Sequence, residues 1–193
     1  MTRTAMFVCA AAAVLSGAPA VAEVPAATQQ VAAKPGPSTS AQTVRAEMVD
    51  GAGKPIGSVM LQDTPGGVLI TTDLKGLPAG EHGFHFHEKG LCDAGQKFTT
   101  AGAHFAAGQP QHGLMTAVGH HGGDMPNAYV GADGVLKTSL LNTGVTLAPG
   151  PKSLFDADGS ALVIHAKADD YKTQPSGAAG DRIACAVIAA PAK

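Results

Sequence analysis

His82-Gly83-Phe84-His85-Phe86-His87-Glu88 is the most informative stretch of the chain. On a β-strand, successive side chains point to opposite faces. Phe84 and Phe86 then enter a core, and His85 and His87 share the other face. Two imidazoles at i and i+2 on a rigid strand make a preorganised metal clamp. The plainer alternative is a pair of surface histidines on an amphipathic strand.

Strand-like runs continue on both sides of this stretch. Thr43 to Val49, Ile56 to Gln62 and Val68 to Leu74 precede it, separated by Asp50-Gly51-Ala52-Gly53 and Pro65-Gly66-Gly67. Ala128 to Val130 and Val135 to Leu140 flank Asp133-Gly134, a hairpin signal. Ser160 to Ala166 and Arg182 to Ile188 close the series. About eight short strands with regular turn signals predict an antiparallel sandwich or barrel. No stretch sustains a helical period. Lys89 to Pro126 and Ala168 to Gly180 fit no strand, and loops that long in a compact domain are usually functional.

Composition agrees. The 193 residues include 25 Gly and 13 Pro, which favours many turns over a helical bundle. The formal net charge of −2 argues against a general nucleic-acid binder, which would carry a basic excess.

The first long loop holds His104, His112, His120, His121 and Asp124. A Gly-rich loop with little packing of its own needs something to hold it, and a closed four-ligand metal site would do so. His165 ends the run Ala161-Leu162-Val163-Ile164-His165. Alone it reads as structural; beside the two strand histidines it becomes a further candidate ligand. Imidazole-rich ligation suits copper and zinc rather than magnesium or calcium.

Residues 1–22 read as a secretory signal peptide. Arg3 supplies a positive start, Ala5 to Leu15 an apolar run, and Ala20-Val21-Ala22 the small residues for cleavage before Glu23. The apolar run is far short of the roughly 20 residues that span a bilayer. Residues 23–42, rich in Ala, Pro, Gln, Ser and Thr, read as a disordered linker. The ordered domain is expected over 43–193. Of three cysteines, Cys9 leaves with the signal peptide. Cys92 and Cys185 remain, either as free thiols or, as an oxidising compartment favours, as one disulfide. Closing so long a loop would stabilise by about 4–5 kcal/mol on the chain-entropy account.

Six motifs, in order, resemble the copper/zinc superoxide dismutases of the exported bacterial type. They are Gly83-Phe84-His85-Phe86-His87-Glu88, Ala101-Gly102-Ala103-His104-Phe105, His112-Gly113, His121-Gly122-Gly123-Asp124, Val163-Ile164-His165-Ala166 and Gly180-Asp181-Arg182-Ile183-Ala184-Cys185. The resemblance covers about Thr43 to Ile188. It implies an eight-stranded antiparallel Greek-key barrel, an immunoglobulin-like sandwich with two long functional loops. It implies one copper per chain on His85, His87, His104 and His165, and one zinc on His104, His112, His121 and Asp124. His104 would bridge the metals, and the His-x-x-Asp spacing selects His121 over His120. Asp169 would link a copper ligand to a zinc ligand, His82 would be structural, and Cys92–Cys185 would be the family's disulfide.

The implied activity is dismutation of superoxide to oxygen and hydrogen peroxide in the periplasm, protecting against external superoxide. His104 would pass a proton to the peroxide. Arg182 would position the anion, Lys172 would steer it, and Ser176 would line the channel wall. Bacterial members occur as monomers and homodimers; no nucleic acid is implied, and no membrane after signal removal. Phe105-Ala106-Ala107, Leu114-Met115, Asp181 and Ala186 depart from the family pattern without touching a ligand. The rivals are a metal-storage protein, which needs neither a bridging His104 nor Arg182, and a purely structural β-domain, which needs no filled ligand set.

Overall fold

The structure, a computed structural model, describes residues 42–109 and 111–189. The expected signal peptide, and all of the expected linker except Gln42, lie outside the described residues.

Among the described residues, ten strands form almost all the regular structure: β1 Thr43–Asp50, β2 Pro55–Thr64, β3 Gly67–Lys75, β4 Gly80–His82, β5 Phe84–His87, β6 Ala128–Val130, β7 Val135–Leu136, β8 Ser139–Asn142, β9 Ser160–His165 and β10 Arg182–Ile188. All pairings between these strands are antiparallel. The main sheet runs β5-β9-β10-β1-β2-β3-β7, with β8 also on β3, and β4 pairs with β6. This curled sheet is the expected antiparallel barrel wall.

Two expected strands are each split. His82 to Glu88 breaks at Gly83, where the chain leaves its pairing with β6 and joins β9. Gly83 N–H donates to Lys167 O at 2.8 Å and its carbonyl accepts from His165 N at 2.9 Å. A Cβ there would come within 2.9 Å of the Ala179 Cβ, so the crossing needs glycine. Val135 to Leu140 breaks at Lys137-Thr138. There the Thr72 hydroxyl donates to Leu136 O at 3.1 Å and accepts from Thr138 N at 3.1 Å, filling the interrupted ladder.

A third long connection, 143–159, was not expected. It buries Val145, Leu147 and Leu154 in the main core. Asp63 anchors it by accepting from the Thr146 hydroxyl and Leu147 N. Its apolar residues are too scattered to give a period.

β9 runs between two apolar clusters. All six of its residues are buried. Leu162 and Ile164 join Phe84, Phe86 and Leu61 in the main core. Ala161 and Val163 face a second cluster with Phe98, Ala101 and Cys185, under the connection after β5. The Cys92–Cys185 disulfide, with Cα atoms 5.7 Å apart, ties that connection to β10.

Candidate metal centre

β5 delivers the strand histidines as alternation dictates. Phe84 and Phe86 lie in the main core. His85 and His87 sit opposite Val163 and Ala161 on β9, hence on the second face. His165 continues that phase at the end of β9. His104 comes alongside His87 through an isolated antiparallel bridge.

Two groups of donors result. His85, His87, His104 and His165 form one, and His104, His112, His121 and Asp124 the other. Within each, one potential ligand atom per residue lies within 4.8 Å of all the others. His104 belongs to both. His120 belongs to neither; its Nδ1 contacts the His121 carbonyl at 2.8 Å.

The ring nitrogens divide into held and free. In the first group, His87 Nδ1 faces Gly102 O at 3.0 Å and His165 Nδ1 faces Gly180 O at 3.3 Å. Their Nε2 atoms then face each other at 3.4 Å. His85 Nε2 lies 2.8 Å from Asp169 Oδ2, leaving His85 Nδ1 buried without a partner, and His104 Nε2 is equally unpartnered. In the second group, Asp124 Oδ1 lies 2.9 Å from both His104 Nδ1 and His112 Nδ1. His121 Nδ1 is buried without a hydrogen bond, 3.6 Å from the same Asp124 Oδ1. Buried polar atoms normally find partners, and leaving one unsatisfied costs about 1–3 kcal/mol. Orphaned nitrogens converging from several elements therefore fit a shared cation.

Electrostatics separates the groups. Burial pushes the His104 imidazole down to about 4, against its hydrogen bond to Asp124, and His165 down to about 3. Burial also lowers His87, with help from His104 and Arg182. His87, His104 and His165 thus offer neutral lone pairs. Burial acts on His112 too, but hydrogen bonds to Asp124 and Asp169 outweigh it and raise His112 to about 9. Against their own desolvation, histidine hydrogen bonds hold the Asp124 and Asp169 carboxyls well below the usual carboxylate range.

Asp169 spans the groups: Oδ2 meets His85 Nε2 and Oδ1 meets His112 Nε2 at 3.0 Å. Gly177 passes directly over this contact. A Cβ there would fall 1.7 Å from Asp169 Oδ1 and 2.8 Å from His112 Nε2.

A cleft of about 490 Å³ opens onto the first group, lined by His87, His104, His165, Ser176 and Arg182. Arg182 pairs with His165, and the register slips between Arg182 and Ala184, which re-aims this side chain. Its Nη1 donates to Phe98 O and its Nη2 to Gly102 O, both at 2.6 Å. Asp181 is exposed and makes no ion pair with Arg182 among the described residues. Lys172 is exposed on the loop after β9 and does not line the cleft. His82 lies behind the site, its ring between the carbonyls of His165 at 2.7 Å and Pro78 at 2.9 Å. Sequence reasoning missed Asn127 and Gln174, which hold the backbones of Asp169 and His112. Lone amides in loops have no spacing that would single them out.

Comparison with known proteins matches residues 56–188 to the family described as copper/zinc superoxide dismutase (SODC). A Caulobacter vibrioides protein named superoxide dismutase [Cu-Zn] is 46% identical over 141 residues, covering 72% of this chain and 80% of that one. An Aquifex aeolicus protein, superoxide dismutase [Cu-Zn] 2, is 47% identical over 145 residues, covering 74% and 84%. The crystal structure of a SOD-like protein from Bacillus subtilis aligns with a TM-score of 0.72 at 36% identity, covering 75% of this chain and 97% of that chain.

Proposed function

The chain belongs to the copper/zinc superoxide dismutase family, and from that premise we propose that copper is held by His85, His87, His104 and His165 and zinc by His104, His112, His121 and Asp124. The observation that carries this is the double membership of His104. Its Nδ1 meets Asp124, while its Nε2 is buried without a partner among the other three imidazoles. The donor chemistry fits. Four imidazoles suit copper, and three imidazoles with a carboxylate suit a closed zinc site.

The protein is a superoxide dismutase that uses copper and zinc. When bound, copper supplies the electron transfer that turns one superoxide into oxygen and the next, with two protons, into hydrogen peroxide, while zinc supplies charge without redox change. The chain's own residues do the rest. Arg182 presents the guanidinium hydrogens not used on Phe98 and Gly102 to an anion entering the cleft. His104, which lines that cleft, can hold a proton at Nε2 and give it to the peroxide product. Ser176 narrows the wall. Asp169 fixes the rings of His85 and His112 through their outer nitrogens, as carboxylates beside metal ligands commonly do. Lys172 contributes steering only through the longer-range field.

The enzyme is proposed to act in the periplasm, after cleavage of residues 1–22, against external superoxide. Residues 23–42 serve as a spacer to the domain over 43–193. The signal-like start supports this, as does the disulfide, which persists in oxidising compartments. Anomalous scattering at the copper and zinc edges from crystals of the loaded protein tests the assignment. Copper beside His165 and zinc beside Asp124 is the expected result, and the reverse placement or a single shared position would refute it.

A further inference from the structure

The loop after β9 and the connection after β5 hold each other through two side-chain amides. Asp169 N donates to Asn127 Oδ1 at 2.8 Å, and Asn127 Nδ2 donates back to Asp169 O at 2.9 Å. His112 N donates to Gln174 Oε1 at 2.9 Å, and Gln174 Nε2 donates back to His112 O at 2.7 Å. Each amide satisfies both backbone groups of one residue, as an opposing strand would. The two residues gripped are the partners of the His112 Nε2–Asp169 Oδ1 contact. Each loop thus supplies one gripped residue and one grip. Asn127, Asp169, His112 and Gln174 close a ring around a single hydrogen bond.

The two grips differ in setting. Asn127 sits just before β6, braced where its own N–H donates to the Tyr171 hydroxyl at 2.8 Å. Gln174 is exposed and carries no packing load in either core cluster. Water could satisfy the His112 backbone in its place, so its two hydrogen bonds to His112 add little to global stability. What water cannot do is fix where the His112 backbone sits relative to Asp169.

We propose that Gln174 is a positioning residue for zinc: by clamping the backbone of His112 it aims Nδ1 at the metal and Nε2 at Asp169, and so slows zinc release. This rests on the assignment of zinc to His112 made above.

The test is the rate at which the copper- and zinc-loaded full chain loses zinc to excess chelator, for the parent, Gln174→Met and His112→Ala. Melting of each metal-free chain is followed in parallel. Gln174→Met is near-isosteric and lacks both hydrogen bonds to His112, together with the one from Gln174 Nε2 to Lys172 O within its own loop. It is expected to lose zinc about 10–100-fold faster, the range seen when groups supporting metal ligands are removed. Its metal-free melting temperature is expected to stay within about 4 °C of the parent. Cobalt in place of zinc should show an altered visible spectrum in the variant. Zinc loss at the parental rate, or a loss of metal-free stability large enough to account for faster release, would overturn the proposal. If His112→Ala retains zinc as the parent does, the zinc assignment itself fails. If only His112→Ala loses zinc, the assignment stands and the role of Gln174 falls.

Discussion

His85 Nε2 lies 2.8 Å from Asp169 Oδ2, both groups are buried, and the other oxygen of the same carboxylate reaches His112. One carboxylate thus sets the ring orientation of a proposed copper ligand and a proposed zinc ligand. Asp169→Asn keeps the shape but can accept through only one of its two positions. It is expected to weaken zinc retention about 10–100-fold, with a smaller effect on copper, measured by competition with chelators. Unchanged affinity for both metals would show that the backbone alone orients the rings.

The elevated His112 imidazole gives a stability prediction with a definite sign. Its folded pKa of about 9 lies above the 6.5 of an ordinary histidine. The stability it contributes is therefore fully present below pH 6.5 and is lost as pH rises through 9. The melting temperature of the metal-free chain should fall across that window, and His112→Ala should flatten the fall. A parent profile that rises between pH 6.5 and 9 would contradict the pairing.

The same proton must leave when zinc binds, because the ligand is the neutral imidazole. Calorimetry of zinc binding at pH 7 in buffers of different ionisation enthalpy should report release of about one proton per site. No release would place the proton elsewhere.

Arg182 faces the cleft with its guanidinium fixed by two carbonyls. Arg182→Glu should lower kcat/KM by about 10-fold or more and weaken inhibition by small anions, because local field rather than net charge steers superoxide. Arg182→Lys keeps the charge but loses the two-carbonyl geometry, and should fall between. Kinetics unchanged in both would remove Arg182 from the substrate path.

The Cys92–Cys185 disulfide crosses 93 residues and lies against Phe98 and Ala101, beneath the connection that carries His104. Replacing both cysteines by serine should cost about 2–5 kcal/mol. It should also loosen the carbonyls of Phe98 and Gly102 that hold Arg182. Denaturant unfolding reads the first effect and steady-state kinetics the second.

Much of this was legible because alternation on one strand is a strong local signal. Phe84 and Phe86 against His85 and His87 separate core from site without tertiary information. The family resemblance, through its His-x-x-Asp spacing, then implied the second donor group, with His121 in preference to His120. The strand breaks at Gly83 and Lys137-Thr138 were not legible, since each depends on a partner far along the chain: β9 in one case, the Thr72 hydroxyl in the other. The 143–159 connection was missed because Val145, Leu147 and Leu154 pack without a period. Lys172 is legible as a candidate steering charge from its loop, but its place relative to the cleft is not. Whether a loop side chain reaches the cleft is decided by the turn, here one in which Lys172 N and Thr173 N donate to Asp170.

The central claim is that His104 serves both metals of a working dismutase. The most direct test is to load the protein with copper and zinc, then measure metal content and superoxide dismutation together, for the parent and for His104→Ala. The parent should hold one copper and one zinc per chain and turn over superoxide. His104→Ala should lose zinc and most of the activity together. Two metals bound with no turnover in the parent would mark a metal-handling protein on a dismutase fold. Full activity in His104→Ala would contradict the shared imidazole outright.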